Sequence, residues 1–181
     1  AASDVYKRQV YGVDLFNGSI YLENIFVEEG NKYYSSVDGV LCDATGTTII
    51  HYPNGRRGEY IVGNRITAIA SYAFSGHRLS SVVFHSGVSS IGENAFYGCY
   101  NLESITFKGG LLPAELTVGE NAFSFAYQND ALTEVIFEAG SNVVEIGKGA
   151  FANNVGLTTI EIPNTVKKIG ESAFANCSVL K

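Results

Sequence analysis

Ile91-Gly92-Glu93-Asn94-Ala95-Phe96 decides the fold, because the phrase returns along the chain. It recurs as Val118-Gly119-Glu120-Asn121-Ala122-Phe123, Ile146-Gly147-Lys148-Gly149-Ala150-Phe151 and Ile169-Gly170-Glu171-Ser172-Ala173-Phe174. A looser copy, Ile69-Ala70-Ser71-Tyr72-Ala73-Phe74, precedes them. The Phe positions 74, 96, 123, 151 and 174 are therefore 22, 27, 28 and 23 residues apart. Self-similarity at a period of roughly 20–50 residues, with apolar side chains at fixed offsets, marks a stacked repeat.

Around the phrase each unit reads Leu-x-x-Ile-x-Ile, a turn, Val-x-x-Ile-Gly, then Ala-Phe. In the last copy these are Leu157, Ile160, Ile162, Pro163, Val166, Ile169, Gly170, Ala173 and Phe174. The alternation at Ile160-Glu161-Ile162 predicts a strand with one buried face, and Val166–Ile169 a second, shorter one. The Ala-Phe segment is long enough for a 3₁₀ turn and too short for a stable helix. Gly is expected at a turn, and Ala where backbones crowd. A single unit cannot bury its apolar side chains, so stacking on neighbours must supply the core.

The chain before this array is less regular. Residues 1–9 are set aside as non-native, since Asp4-Val5-Tyr6-Lys7-Arg8-Gln9 resembles the translation of a transposon end used in sequencing-library preparation. Residues 10–27 read as a degenerate N-terminal repeat: Tyr11-Gly12 and Phe16 stand where Ile91-Gly92 and Phe96 stand, and Leu22, Ile25 and Val27 match Leu157, Ile160 and Ile162. Residues 28–59 change character. Tyr33, Tyr34, Val37, Val40, Leu41, Ile49, Ile50 and Tyr52, punctuated by Asp38-Gly39 and Asp43-Ala44-Thr45-Gly46, predict a β-hairpin insertion. Residues 60–181 form the regular array, and its stop at Leu180-Lys181, where another strand is due, is expected to be a truncation.

Aligned in this way, the chain resembles the BspA-type (Treponema-type) leucine-rich repeat family. The Ile-Gly-x-x-Ala-Phe phrase carries the likeness, with Phe96-x-x-Cys99-x-x-Leu102, Phe174-x-x-Cys177-x-x-Leu180 and the hairpin Tyr34-Ser35-Ser36-Val37-Asp38-Gly39-Val40-Leu41. The resemblance covers residues 10–181. It implies a single right-handed, β-rich leucine-rich-repeat solenoid with short parallel strands, short 3₁₀ turns and one hairpin insertion. It also implies a bacterial secreted or cell-surface protein used in adhesion, and offers no catalytic residue to carry over.

Composition closes other routes. The net charge of −6 leaves no basic stripe for nucleic acid, and no apolar run approaches the roughly 18 residues of a membrane span. Cys99 and Cys177 share one offset from the repeat Phe; three stacked repeats, at about 4.8 Å each, keep them roughly 14 Å apart, too far for a disulfide. They read as small buried wall residues. His51, His77 and His85 lack metal-ligand spacing, and no phosphate-binding glycine pattern occurs. No catalytic residue, metal or cofactor is expected.

What remains is surface. Outward strand positions align as Ile61, Val83, Thr106, Ile136 and Glu161, beside a second row of Ser81, Ser104, Glu134 and Thr159. Two insertions, Lys108-Gly109-Gly110-Leu111-Leu112-Pro113 and Ser124-Phe125-Ala126-Tyr127-Gln128-Asn129-Asp130, add candidate contacts at Phe125 and Tyr127. These predict a non-enzymatic binding or adhesion module for a protein or glycoprotein, with no oligomer expected of this segment. The competing expectation is a spacer whose repeats display another domain.

Overall fold

The computed structural model describes residues 15–16, 18–111 and 114–181. Strands β1 (Tyr34–Val37), β2 (Val40–Asp43) and β3 (Thr48–His51) form an antiparallel meander. Its first turn places Asp38 at φ 51° and Gly39 at φ 74°, the left-handed pair that a two-residue type I′ hairpin requires. From there the chain winds as a β-solenoid of about five turns, with no helix among the described residues.

Each coil but the last gives one strand to each of two parallel ladders, and the last gives a strand to the first alone. The first ladder continues the meander through β5 (Ala68–Ile69), β7 (Ser90–Ile91), β9 (Leu116–Val118), β11 (Val143–Ile146) and β12 (Lys168–Ile169). The second is a four-stranded sheet of β4 (Arg57–Ile61), β6 (Arg78–Phe84), β8 (Ser104–Phe107) and β10 (Glu134–Phe137). All pairings after β3 are parallel. The expected strand at Ile160–Ile162 is not formed, and no backbone hydrogen bond joins residues 134–138 to 158–162.

After each strand of the first ladder the repeated phrase continues as a run of turns. There every second amide bonds locally: Ala95 N–H donates to Gly92 O, Tyr97 to Asn94 O and Cys99 to Phe96 O, at 3.1–3.3 Å. The amides between reach the next coil, Asn94 donating to Glu120 O, Phe96 to Ala122 O and Gly98 to Ser124 O, at 2.7–3.1 Å. The 3₁₀-type bonds expected of this segment are thus interleaved with a ladder between coils. Asn94 and Gly98, with φ of 54° and 72°, take position i+2 of alternate local turns, where a positive φ suits Asn and Gly. The same positions recur at Asn121, Gly149, Asn153 and Asn176.

The glycine of the phrase serves a different purpose from the one its sequence suggests. Gly92, Gly119, Gly147 and Gly170 are absent from the positive-φ residues. A Cβ at Gly92 would lie 2.5 Å from Ser71 N, and one at Gly119 2.6 Å from Ile91 O. Crowding between coils, rather than turn geometry, requires glycine here.

Between the two ladders the core is a column of rings. Tyr52, Phe74, Phe96, Phe123, Phe151 and Phe174 stack face to face with centroids 4.5–5.4 Å apart and planes within 24°. Phe84, Phe107 and Phe137 make a second, shorter column at 5.1–5.3 Å. The columns meet edge to face, as at Phe84–Phe96 (5.8 Å, 88°), the geometry that aromatic quadrupoles favour.

Before the meander, half-buried Leu22, Ile25 and Val27 alternate with exposed Tyr21 and Phe26 but form no strand. Arg56 fastens this segment, donating to Glu23 O, Asn24 Oδ1 and Asp38 O at 2.6–2.7 Å. The readings of residues 1–9, Tyr11-Gly12 and Leu112-Pro113 lie outside the described residues.

Candidate partner-binding surface

Strand register decides which outward residues meet. In the four-stranded sheet Ile61 is paired with Val83, Val83 with Thr106 and Thr106 with Ile136. One row therefore runs straight across four coils, as the sequence alignment predicts. Ile61 is 63% exposed and Ile136 37%, with Val83 and Thr106 half-buried between them. Beside it Glu59, Ser81, Ser104 and Glu134 form the polar row. Inward positions on the same strands, Val82, Ile105 and Phe107, are fully buried, so strand alternation separates surface from core.

Glu161 does not join the row as a paired strand residue. It is exposed and lines a cleft of about 460 Å³ together with Ile136, Glu134, Thr159 and Ile160. A second cleft, of about 560 Å³, lies between the turn Phe137–Ser141 and residues 161–165. The sheet is closed from β4 to β10 and opens at this last junction.

The two loop candidates separate. Phe125 is not a surface contact: it is 2% exposed, with its ring 5.3 Å from that of Tyr100. Burial of a large ring outweighs its place in an insertion, and its N–H still donates to Ala152 O in the next coil. Tyr127 is 78% exposed on a loop that rejoins the next coil through Asn129 N–H to Asn153 O and Val155 N–H to Asn129 O, both 2.9 Å. It belongs to the turn after Phe123, on a different edge of the coil from the strand row.

Residues three beyond the repeat Phe hold a role that the sequence conceals. Cys99 Sγ–H donates to Phe74 O (2.9 Å), Cys177 to Phe151 O (3.3 Å) and Asn154 Nδ2 to Phe123 O (3.0 Å); His77 Nε2 lies 2.5 Å from Tyr52 O. These side chains supply the hydrogen bond that buried turn carbonyls need. The shared signal is donor capacity, not size, and Ala126, which lacks it, is exposed where the loop bulges out. Burial pushes the Cys99 thiol up to about 12 and Cys42 to about 11, so both remain protonated and poor nucleophiles. His51 sits at the start of the column, its ring 5.0 Å from Phe16 and 5.5 Å from His77. Burial, reinforced by His77, lowers its pKa to about 4. Among the described residues no three His, Cys, Asp or Glu side chains gather at metal-binding distance.

The repeat assignment is decided by six consecutive copies of the BspA type leucine rich repeat region, matched over residues 58–181. The chain belongs to the BspA-type leucine-rich repeat family. Among solved structures, a leucine-rich cell-surface protein from Faecalibacterium prausnitzii is 26% identical, with TM-score 0.53, over 83% of this chain and 32% of its own length. The pneumococcal vaccine antigen PcpA is 24% identical, with TM-score 0.61, over 88% of this chain and 38% of its own; the likeness there is one of fold. This BspA-type chain thus spans about a third of the length of either structure. A comparison with curated proteins found no match. BspA-type and other leucine-rich solenoids are generally non-enzymatic, and no helix among the described residues is long and apolar enough to cross a membrane.

Proposed function

We propose that this BspA-type segment is a binding module of a bacterial surface or secreted protein, and that it recognises a protein or glycoprotein through the outward face of the four-stranded sheet. One observation carries the reading: Ile61, Val83, Thr106 and Ile136 form a continuous, uncovered row on a rigid face. Flat arrays of this kind are how solenoids present extended contact surfaces, and an apolar strip rimmed by polar residues favours a protein partner. Tyr127 supplies a separate, exposed aromatic contact. The cell-surface description of the 26%-identical neighbour supports an extracellular setting.

The test is binding of the folded segment to a panel of immobilised extracellular-matrix glycoproteins, followed by Ile61→Asp, Ile136→Asp and Tyr127→Ala variants. Each aspartate should weaken binding by about tenfold or more, roughly 1.4 kcal/mol, with unfolding midpoints nearly unchanged. Binding indifferent to both aspartate variants sinks the assignment of this face.

A further inference from the structure

We infer that the cleft between β10 and residues 158–162 takes an extended, basic peptide segment of a protein partner, laid along the open edge of β10. This rests on the reading that the sheet face meets a protein. Four observations converge on it.

First, β10 is paired on one side only, and the coil beyond it stands off although β11 and β12 remain paired and Phe151 and Phe174 remain stacked 5.4 Å apart. The last coil opens like a wedge on the sheet side alone. An unpaired strand edge is a template for another strand.

Second, the two clefts, of about 460 and 560 Å³, share Glu161; Glu134 lines the first and Glu138 the second. Third, none of these three carboxylates has an ion-pair partner: the two pairs among the described residues are Lys167–Glu115 and Lys168–Glu145. Lys108 and Lys181, on neighbouring stretches of chain, do not neutralise them.

Fourth, Ser141, only 1% exposed, lines the second cleft with its Oγ lacking any hydrogen-bond partner, and Thr165 Oγ1 beside the same cleft is likewise unpaired. Buried hydroxyls without partners are rare in folded proteins, and here two of them border a cavity rimmed by carboxylates.

The spacing specifies the peptide. Glu134 and Ile136 on the outer side of β10, and Glu138 just beyond its end, succeed one another with period two, so the glutamates are roughly 13 Å apart along the chain. A parallel strand reading Lys-x-Val-x-Lys would set its cations against Glu134 and Glu138 and its valine against Ile136, with Glu161 facing it across the cleft. A small cation is the poorer fit, because the carboxylates do not converge on one point.

The test uses fluorescence anisotropy with a labelled peptide Gly-Lys-Ser-Val-Ser-Lys-Gly, and a control in which Glu replaces both Lys. The lysine peptide should bind and the control should not. The double variant Glu134→Gln/Glu161→Gln should weaken binding about tenfold. A Thr133→Cys/Thr158→Cys pair, oxidised to a disulfide, should close the wedge and abolish binding, with recovery on reduction. Ile162→Phe, which offers the short aromatic column a fourth ring, should weaken binding by closing the wedge without a crosslink. Equal binding by the oxidised and reduced pair, or by the Gln variant, overturns the inference. So does failure of the lysine peptide to bind a segment that still holds a glycoprotein in an Ile61-dependent way, and that outcome leaves the proposed function intact. Loss of Ile61 dependence alone strikes the proposed function instead.

Discussion

Two aromatic columns run through the solenoid, and they end in different places. The long one passes from Tyr52 through five phenylalanines to Phe174. The short one stops at Phe137, where the next coil offers Ile162 instead of a ring. Where the long column continues, amides bond between coils and glycines sit on neighbouring backbone. Where the short column stops, Glu134 and Glu138 face Glu161 across the junction, Pro163 lacks an amide to donate, and the strand does not pair. The same repeat therefore produces a shut edge and an open one. Ring stacking and interstrand bonds hold coils together only when the residues at the offset supply both.

The long column is where damage should be greatest. Phe96 is fully buried with rings 4.5 and 5.0 Å away on its two faces, so Phe96→Ala should cost about 3–5 kcal/mol in denaturant unfolding. Gly119→Ala forces a Cβ to within 2.6 Å of Ile91 O and should cost about 1–3 kcal/mol. If that variant unfolds like the wild type, the crowding account of the glycine is wrong.

A smaller effect belongs to the start of the column. His51 has a folded pKa near 4 against 6.5 for the free side chain, so below about pH 6.5 the unfolded chain binds the extra proton. Its contribution is complete above that value and is lost as pH falls towards 4. Unfolding midpoints measured between pH 7 and 4 should decline, and less steeply in His51→Phe.

On the short column the sign reverses. Ile162→Phe should stabilise by about 0.5–1.5 kcal/mol if it stacks on Phe137. Ile61→Asp, on the uncovered row, should change stability by under about 1 kcal/mol while lowering partner binding, which is read in the same samples.

The sequence showed the solenoid because Phe, Ile and Leu recur at offsets fixed by stacking, and each offset has one physical demand. It also showed the row Ile61–Val83–Thr106–Ile136, since strand period and repeat alignment together set the register. Besides the crowding role of the phrase glycine, three things escaped it. Phe125 looked exposed from its place in an insertion, but loop length says nothing about which way a ring turns. Cys99 and Cys177 looked like small wall residues because the feature they share with His77 and Asn154 is a donated hydrogen bond, not a shape. The open junction was concealed because Ile160-Glu161-Ile162 alternates as well as any strand; what it lacks is a ring at 162 and a neutral neighbour for Glu161.

Amide hydrogen exchange tests the contrast between the two edges most directly. The account predicts that amides at Ile160–Ile162 exchange at least about a hundredfold faster than those at Ser104–Phe107, while Phe151 and Ala173 on the ring-stacked edge remain protected. Equal protection at 160–162 and 104–107 would mean that the last coil is paired like the others, and would contradict it.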